Sequence, residues 1–163
     1  TKEATHRVIS CSRDPRGLGR WASTLLSGRH DQKVRIVSVY NPCKSNGRSS
    51  VYQQQLRYIR SEQMFDKNPL SLLQDDLAQA ISDWLEANED LIICLEANED
   101  VRTGQLTSML RAHGLVDLIL SKHKDLSLTT SNTSKEPARY PHRCYLHHIG
   151  HHRRYQMRLH TFR

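Results

Sequence analysis

The sequence predicts an α/β layered domain with a mixed sheet. Three stretches carry that prediction. Val34 to Tyr40 (VRIVSVY) is rich in β-branched residues, which suit a pleated surface. Residues 50–62 and 69–88 place apolar side chains at helical spacing. Leu91 to Asp100 (LIICLEANED) starts with five unbroken apolar residues and then turns polar, the pattern of a buried strand. Strands interleaved with helices build layered α/β domains.

In chain order, His6 to Cys11 reads as a strand and Arg13 to Gly17 as a turn that uses Pro15 and Gly17. Trp21 to Leu26 is a second strand and Gly28 to Asp31 a second turn. With Val34 to Tyr40 they form a three-stranded meander. Pro42 cannot donate to a ladder, so Asn41-Pro42 ends the third strand. Cys43 to Ser50 is a polar loop. Val51, Tyr52, Gln55, Leu56 and Ile59 then mark a helix over 50–62. Asn68 caps a longer helix with Pro69 at its first position. Its stripe is Leu73, Leu77, Ala80, Ile81 and Trp84, and it ends near Asn88. The strand 91–95 follows at once. Thr103-Gly104 starts a third helix, with Leu106, Met109 and Leu110 inward and Gly114 as its stop. His113 stands where the helix dipole favours a cation. Leu115 to Leu120 (LVDLIL) reads as a last apolar strand, with Asp117 at its edge.

A chain of 163 residues is long enough for one domain with a core. Hydrophobic content of 37% and 25% charge are ordinary for a soluble protein. No run approaches the roughly 18 apolar residues of a membrane span. The N-terminus, TKEATHRVIS, has no apolar signal core and reads as a start in mid-domain. The expectation is an intracellular protein without a membrane partner, nuclear or cytoplasmic. Cys11, Cys43, Cys94 and Cys144 are far apart and form no CxxC pair, which argues for free thiols and against a zinc knuckle or redox motif.

The net charge of +7 is unevenly spread. Residues 1–60 hold 12 Lys/Arg against 3 Asp/Glu (+9), residues 61–134 hold 5 against 13 (−8), and residues 135–163 hold 7 against 1 (+6). The N-terminal excess has two readings: attraction of phosphate, or Lys and Arg guarding hairpin edges.

Two features are irregular. The hexapeptide LEANED occurs at 85–90 and again at 95–100, too short for a solenoid unit. It reads as a local duplication or a sequence error. Residues 135–163 form a basic, His-rich tail distinct from the domain at 1–134. Three readings of it are open. His147–His151 and His148–His152 have the i, i+4 spacing of a helical metal site. A disordered basic tail is the second. The third is a frameshift: with permitted codons from Pro141 onward, a one-base shift yields Pro-Ile-Asp-Ala-Ile-Phe-Thr, a strand pattern.

The chemistry concentrates at the end of the 91–95 strand. Glu96 and Asn98 share a face if the extended conformation persists. In helix-covered sheets, ligands bind at the carboxyl ends of strands. VRIVSVYNP, then two helices, then LIICLEANEDV, resembles the endonuclease/exonuclease/phosphatase superfamily. The flavour is that of the endonuclease domains that accompany reverse transcriptases in retroelements. The resemblance covers most of residues 5–134, and the shifted tail resembles the family's late Ile-Asp-x-Ile strand. It implies a fragment of a layered α/β sandwich, two mixed β-sheets face to face with flanking helices. It also implies metal-dependent hydrolysis of phosphate esters, usually with Mg²⁺ and no other small-molecule cofactor. By the same resemblance Tyr40 contacts the reacting phosphate, Glu96 stands where the family has an Asp that positions or activates water, and Asn98 helps hold that arrangement. In-line attack on phosphate needs a base, donors for the developing charge and a divalent cation, and oxygen ligands suit magnesium. Tyr40 as a half-buried aromatic, and Glu96 and Asn98 as turn formers, are the structural readings of the same residues.

Three departures from the family pattern count against activity. Glu96 is longer than Asp by one methylene, which moves its carboxylate out by about 1 Å, and such a displacement can cost ~10²-fold. The family's early metal-binding Glu has no counterpart, since Glu3 does not match it. The late Asp and terminal His are also missing, and their roles do not pass to His147 or His160. The expectation is a divergent fragment of a metal-dependent phosphodiesterase acting on nucleic acid, impaired or inactive. The alternatives are a non-catalytic basic nucleic-acid-binding module and a non-functional retroelement remnant.

Overall fold

The computed structural model describes residues 5–123 and 142–147. The element order is β1 (Val8–Arg13), β2 (Trp21–Ser27), β3 (Lys33–Tyr40), α1 (Val51–Ser61), α2 (Pro69–Glu86), β4 (Asp90–Glu96), α3 (Gln105–Ala112), β5 (Val116–Asp117), α4 (Leu118–His123) and β6 (His142–His147). The strands form one mixed sheet in the order β1-β2-β3-β4-β6-β5. The described residues thus hold one sheet of the two that the resemblance implies.

The first three strands are the expected antiparallel meander. The β2–β3 turn has His30 and Asp31 both at positive φ (53° and 60°), and Gln32 donates its N–H to the Arg29 carbonyl. This is the two-residue turn whose twist matches the flanking strands. The helices α1 and α2 then carry the chain over to β4, which pairs with β3 in parallel, Ile36 beside Ile92 and Tyr40 beside Glu96.

Strand periodicity decides which residues enter the core. Trp21 and Leu25, Val37 and Val39, and Leu91, Ile93 and Leu95 are buried, while their sequence neighbours on the other face are more open. They pack against Leu73, Leu77 and Ile81 of α2 and Leu106 and Leu110 of α3. Each such leucine contributes about 1.5–3 kcal/mol when fully buried. The expected stripes of α2 and α3 are the observed ones, with Trp84 and Met109 partly buried at their margins. Val51 is the exception in α1, where Tyr52, Gln55 and Ile59 face inward and Val51 is exposed.

The helix ends follow from local chemistry. Asn68 accepts from the N–H groups of Leu70 and Ser71, and the Ser71 hydroxyl accepts from the Asn68 N–H, closing a capping box. The helices α1, α2 and α3 all stop in the same way. The residue after each C-cap, Gln63, Asn88 or Gly114, takes a positive φ. The next N–H reaches back: Met64 to Ile59, Glu89 to Trp84, Leu115 to Leu110. Only the glycine at 114 signalled this conformation without strain.

One expected element is corrected. Leu115 to Leu120 is not a six-residue strand: β5 covers Val116 and Asp117, and Leu118 begins α4. Asp117 makes the switch. Its buried carboxylate accepts the Leu120 N–H (3.0 Å) and so caps the helix that replaces the strand. An apolar run of this length does not distinguish strand from buried helix. His113 has the structural role expected of it, with Nδ1 bonded to the Met109 carbonyl and Nε2 3.4 Å from the Ser82 hydroxyl. Of the tail, β6 pairs antiparallel with β4 and β5. The metal-pair and frameshift readings of the tail otherwise lie outside the described residues, as does Glu3.

Candidate active site

The parallel β3–β4 pair sets the site. Parallel strands end together, so Tyr40 and Glu96 become side-by-side neighbours at the carboxyl edge of the sheet. Both are half-buried, and both lie on the face away from the helices. Three hydrogen bonds tie the two chains together just beyond them. The Asn41 N–H donates to the Glu96 carbonyl (3.0 Å), the Asn41 amide to the Ala97 carbonyl (2.5 Å), and the Asn98 amide to the Asn41 carbonyl (2.6 Å).

That clamp changes the reading of Asn98. Extended backbone stops at Glu96, and Asn98 has φ of 49°, in the left-handed region that Asn tolerates. Asn98 therefore does not continue the strand alternation that would have put it beside Glu96. Its amide nitrogen instead staples the β3 exit to the β4 exit. Tyr40 and Glu96 are brought together, and Asn98 supports them from behind.

The exposed Cys43 lies near enough to the pair for their charges to interact, which sequence reasoning missed because it treated the cysteines as isolated thiols. Burial raises the Cys43 thiol pKa, and the Glu96 charge adds to it. Burial likewise raises the Tyr40 phenol above its ordinary value, with contributions from Cys43 and Glu96. At neutral pH Tyr40 is therefore a neutral hydrogen-bond donor beside a carboxylate. The signal in the sequence was proximity: Cys43 follows Tyr40 by three residues.

Among the described residues no group of three or more His, Cys, Asp or Glu is arranged to hold a metal ion. Around the strand end the other acids are committed elsewhere. Glu99 accepts from the Leu106 and Thr107 N–H groups (3.4 and 2.9 Å), and Asp100 accepts from the Arg102 N–H (2.8 Å). Mg²⁺ demands an octahedron of oxygens. Glu96 is the single carboxylate that the described residues offer there, so they do not complete a magnesium site.

The basic N-terminal excess is partly structural. Arg20 is fully buried, with Nε and Nη2 on the Asp14 carboxylate (2.7 Å each) and Nη2 also on Asp76 (2.8 Å). Arg16 adds a second pair to Asp76. Burial opposes ionisation of Asp14 and Asp76, but hydrogen bonds and charge from Arg20 and Arg16 outweigh it and hold both carboxyls below their ordinary range. Arg35 is buried against Glu89 and lies over the Trp84 ring at 4.9 Å. Thus Arg20 and Arg35 are buried in ion pairs, while Arg16 is paired with Asp76 at the surface. Arg13, Arg29, Lys33, Lys44, Arg48, Arg57 and Arg60 remain exposed. A shallow cavity of about 520 Å³ between β1 and α2, lined by Trp21, Trp84, Arg16 and Asp76 among others, lies on the helix-covered face, away from Tyr40.

The fold matches part of a solved structure. The human nocturnin catalytic domain aligns with a TM-score of 0.52 at 12% identity, over 86% of this chain and 48% of that domain. The chain shares the fold of the part of that domain it covers. Sphingomyelinase C from Streptomyces griseocarneus (TM-score 0.38, 14% identity, 82% of this chain and 43% of that one) and beta toxin from Staphylococcus aureus (0.36, 10%, 68% and 38%) are weaker matches. No protein-family model matches the chain, and no curated protein matches it in sequence. The chain spans about half the length of the nocturnin domain. Among the described residues no helix is long and apolar enough to cross a membrane.

Proposed function

We propose that the chain is a divergent fragment of a metal-dependent phosphodiesterase, endonuclease-like, of the kind that accompanies reverse transcriptases in retroelements. It acts on nucleic acid inside the cell and is impaired as it stands. The observation that carries this reading is the Tyr40–Glu96 pair at the carboxyl ends of the parallel strands, within a shared hydrolase-type fold. Glu96 is the group that would orient or activate a water, and neutral Tyr40 is the donor to a phosphate oxygen. A divalent cation would supply charge neutralisation. Impairment follows from two features: one carboxylate where a metal needs several oxygens, and an Asn98 amide committed to the Asn41 carbonyl.

Nicking of supercoiled plasmid by the full chain tests this. The expected result is slow nicking in Mg²⁺, abolished by chelator and by Glu96→Gln and reduced by Tyr40→Phe. Nicking unchanged in Glu96→Gln overturns the site. The exposed arginines of residues 1–60 favour a second reading, a non-catalytic nucleic-acid-binding module. Absence of nicking, with DNA binding that falls steeply with salt, selects it.

A further inference from the structure

Positive charge gathers around the exit of β3. From Gln32 to Ser61 the chain holds six Lys or Arg and no Asp or Glu. Arg35 is buried against Glu89. Lys44, Arg48, Arg57 and Arg60 are exposed, and none of the four has a carboxylate partner among the described residues. Acids three or four residues from an arginine steady a solvated helix face. Around Arg57 those positions are Gln53, Gln54, Arg60 and Ser61. Arg57 and Arg60 stand one turn apart and repel each other until an anion lies across them.

The loop in front of α1 is held in one shape. Gln53 donates from Nε2 to the Ser45 carbonyl (2.8 Å), Gln54 from Nε2 to the Ser49 carbonyl (2.8 Å), and Arg57 from Nη1 to the Arg48 carbonyl (3.0 Å). The Ser50 hydroxyl accepts the Gln53 N–H (3.3 Å) and caps the helix. Three loop carbonyls are thus taken up by α1 side chains, and Lys44 and Arg48 are exposed on a fixed backbone. Such preorganisation lowers the ordering cost of binding. The loop leaves the sheet at Tyr40, beside Glu96, and ends at the Ser50 cap. It therefore joins the strand-end pair to α1, which packs against α2.

The charges form a line. The 11 residues of α1, at ~1.5 Å each, give a track of about 16 Å, with Arg48 before its start and Arg60 near its end. That length spans about five phosphates of one duplex strand at ~3.4 Å each. A linear polyanion engages the whole track, whereas a lone phosphate ester engages one end. We propose that the 43–50 loop and the outer face of α1 bind the phosphate backbone of a nucleic acid and lead it toward Tyr40 and Glu96. The inference rests on the nucleic-acid reading above for the class of polyanion and gives that reading its surface. Phosphate contacts carry no sequence information, so binding is expected to be independent of base sequence.

Anisotropy of a short labelled DNA duplex with the full chain, in chelator and over a range of salt, tests binding apart from cleavage. With four phosphates neutralised, log K is expected to fall against log salt with a slope of about −3.6. Arg57→Gln/Arg60→Gln is expected to flatten that slope by about 1.8, and Arg48→Gln by about 0.9. Arg29→Gln, in the β2–β3 turn at the opposite end of the sheet, is expected to leave it unchanged. All four side chains are exposed, circular dichroism checks each fold, and Lys44→Gln replaces any variant of the track that does not fold. An unchanged slope in the double variant overturns the proposal. So does equal flattening in Arg29→Gln, which would mean diffuse attraction by net charge. Binding to vesicles containing phosphatidylserine, with none to DNA, also overturns it and assigns the surface to a membrane. An unchanged slope together with nicking that Glu96→Gln abolishes removes the surface alone. The expected slopes without any nicking uphold the surface and remove the catalytic reading.

Discussion

At residues 85–90 the segment LEANED ends a helix and enters a strand; at 95–100 the same six residues end that strand and lead into a helix. The two copies share one backbone event. Asn88 and Asn98 both take a left-handed φ, 59° and 49°, and both stop a regular element. Everything else differs. In the first copy Glu86 is exposed and Glu89 is buried as the partner of Arg35. In the second, Glu96 is half-buried beside Tyr40, and Glu99 reaches forward to the first N–H groups of α3. Identical side chains took up a helix stop and buried ion pair in one copy, and a strand-end carboxylate and helix cap in the other. Local sequence set the turn; the neighbours set each role.

That comparison can be broken at its fifth position. Removing Glu89 leaves the buried Arg35 guanidinium without its carboxylate, and losing one partner of a buried pair costs about 3–5 kcal/mol. Glu89→Ala is therefore expected to lower unfolding stability by that amount in denaturant titration. A loss below about 1 kcal/mol would mean that the ion pair is not the anchor of the first copy.

The asparagines come next. Glycine adopts positive φ at no steric cost, so Asn88→Gly is expected to be near neutral. Asn98→Gly keeps the backbone but loses the bond to the Asn41 carbonyl, at about 1 kcal/mol. Equal effects in thermal melts would show that the Asn41–Asn98 clamp contributes nothing.

A smaller contrast lies in helix capping. The N-cap of α3 is Gly104, which has no side chain to cap with, and a Cβ there would collide with Glu99. Glu99 thus does the capping from five residues upstream. Glu99→Ala is expected to cost about 1 kcal/mol, against ±0.5 kcal/mol or less for the exposed Glu86→Ala.

The smallest effect is electrostatic. The Glu96 charge helps hold the Tyr40 phenol above its ordinary pKa. Glu96→Gln should lower the pH of the Tyr40 transition followed by ultraviolet difference absorbance, and Glu86→Gln should leave it in place. No shift in Glu96→Gln would separate the two residues that the proposed site joins.

The sequence by itself determined the meander, the helix stripes, the Asn68 cap and the strand that ends at Glu96. Each rests on neighbours in the chain: alternation, 3.6-residue spacing, a capping side chain. It also led to Glu96, because that residue lies at a strand end, and to Tyr40 through the family resemblance. The fold decided what spacing does not encode. The parallel pairing of β3 with β4 made Tyr40 and Glu96 neighbours across 56 residues. The turn at Asn98 took that residue out of the strand, and Asp117 turned an apolar run into a helix. Buried carboxylates claimed Arg20 and Arg35, so net charge overstated the cations left for a phosphate. These outcomes depend on which groups are desolvated together, and desolvation is a property of the packed chain.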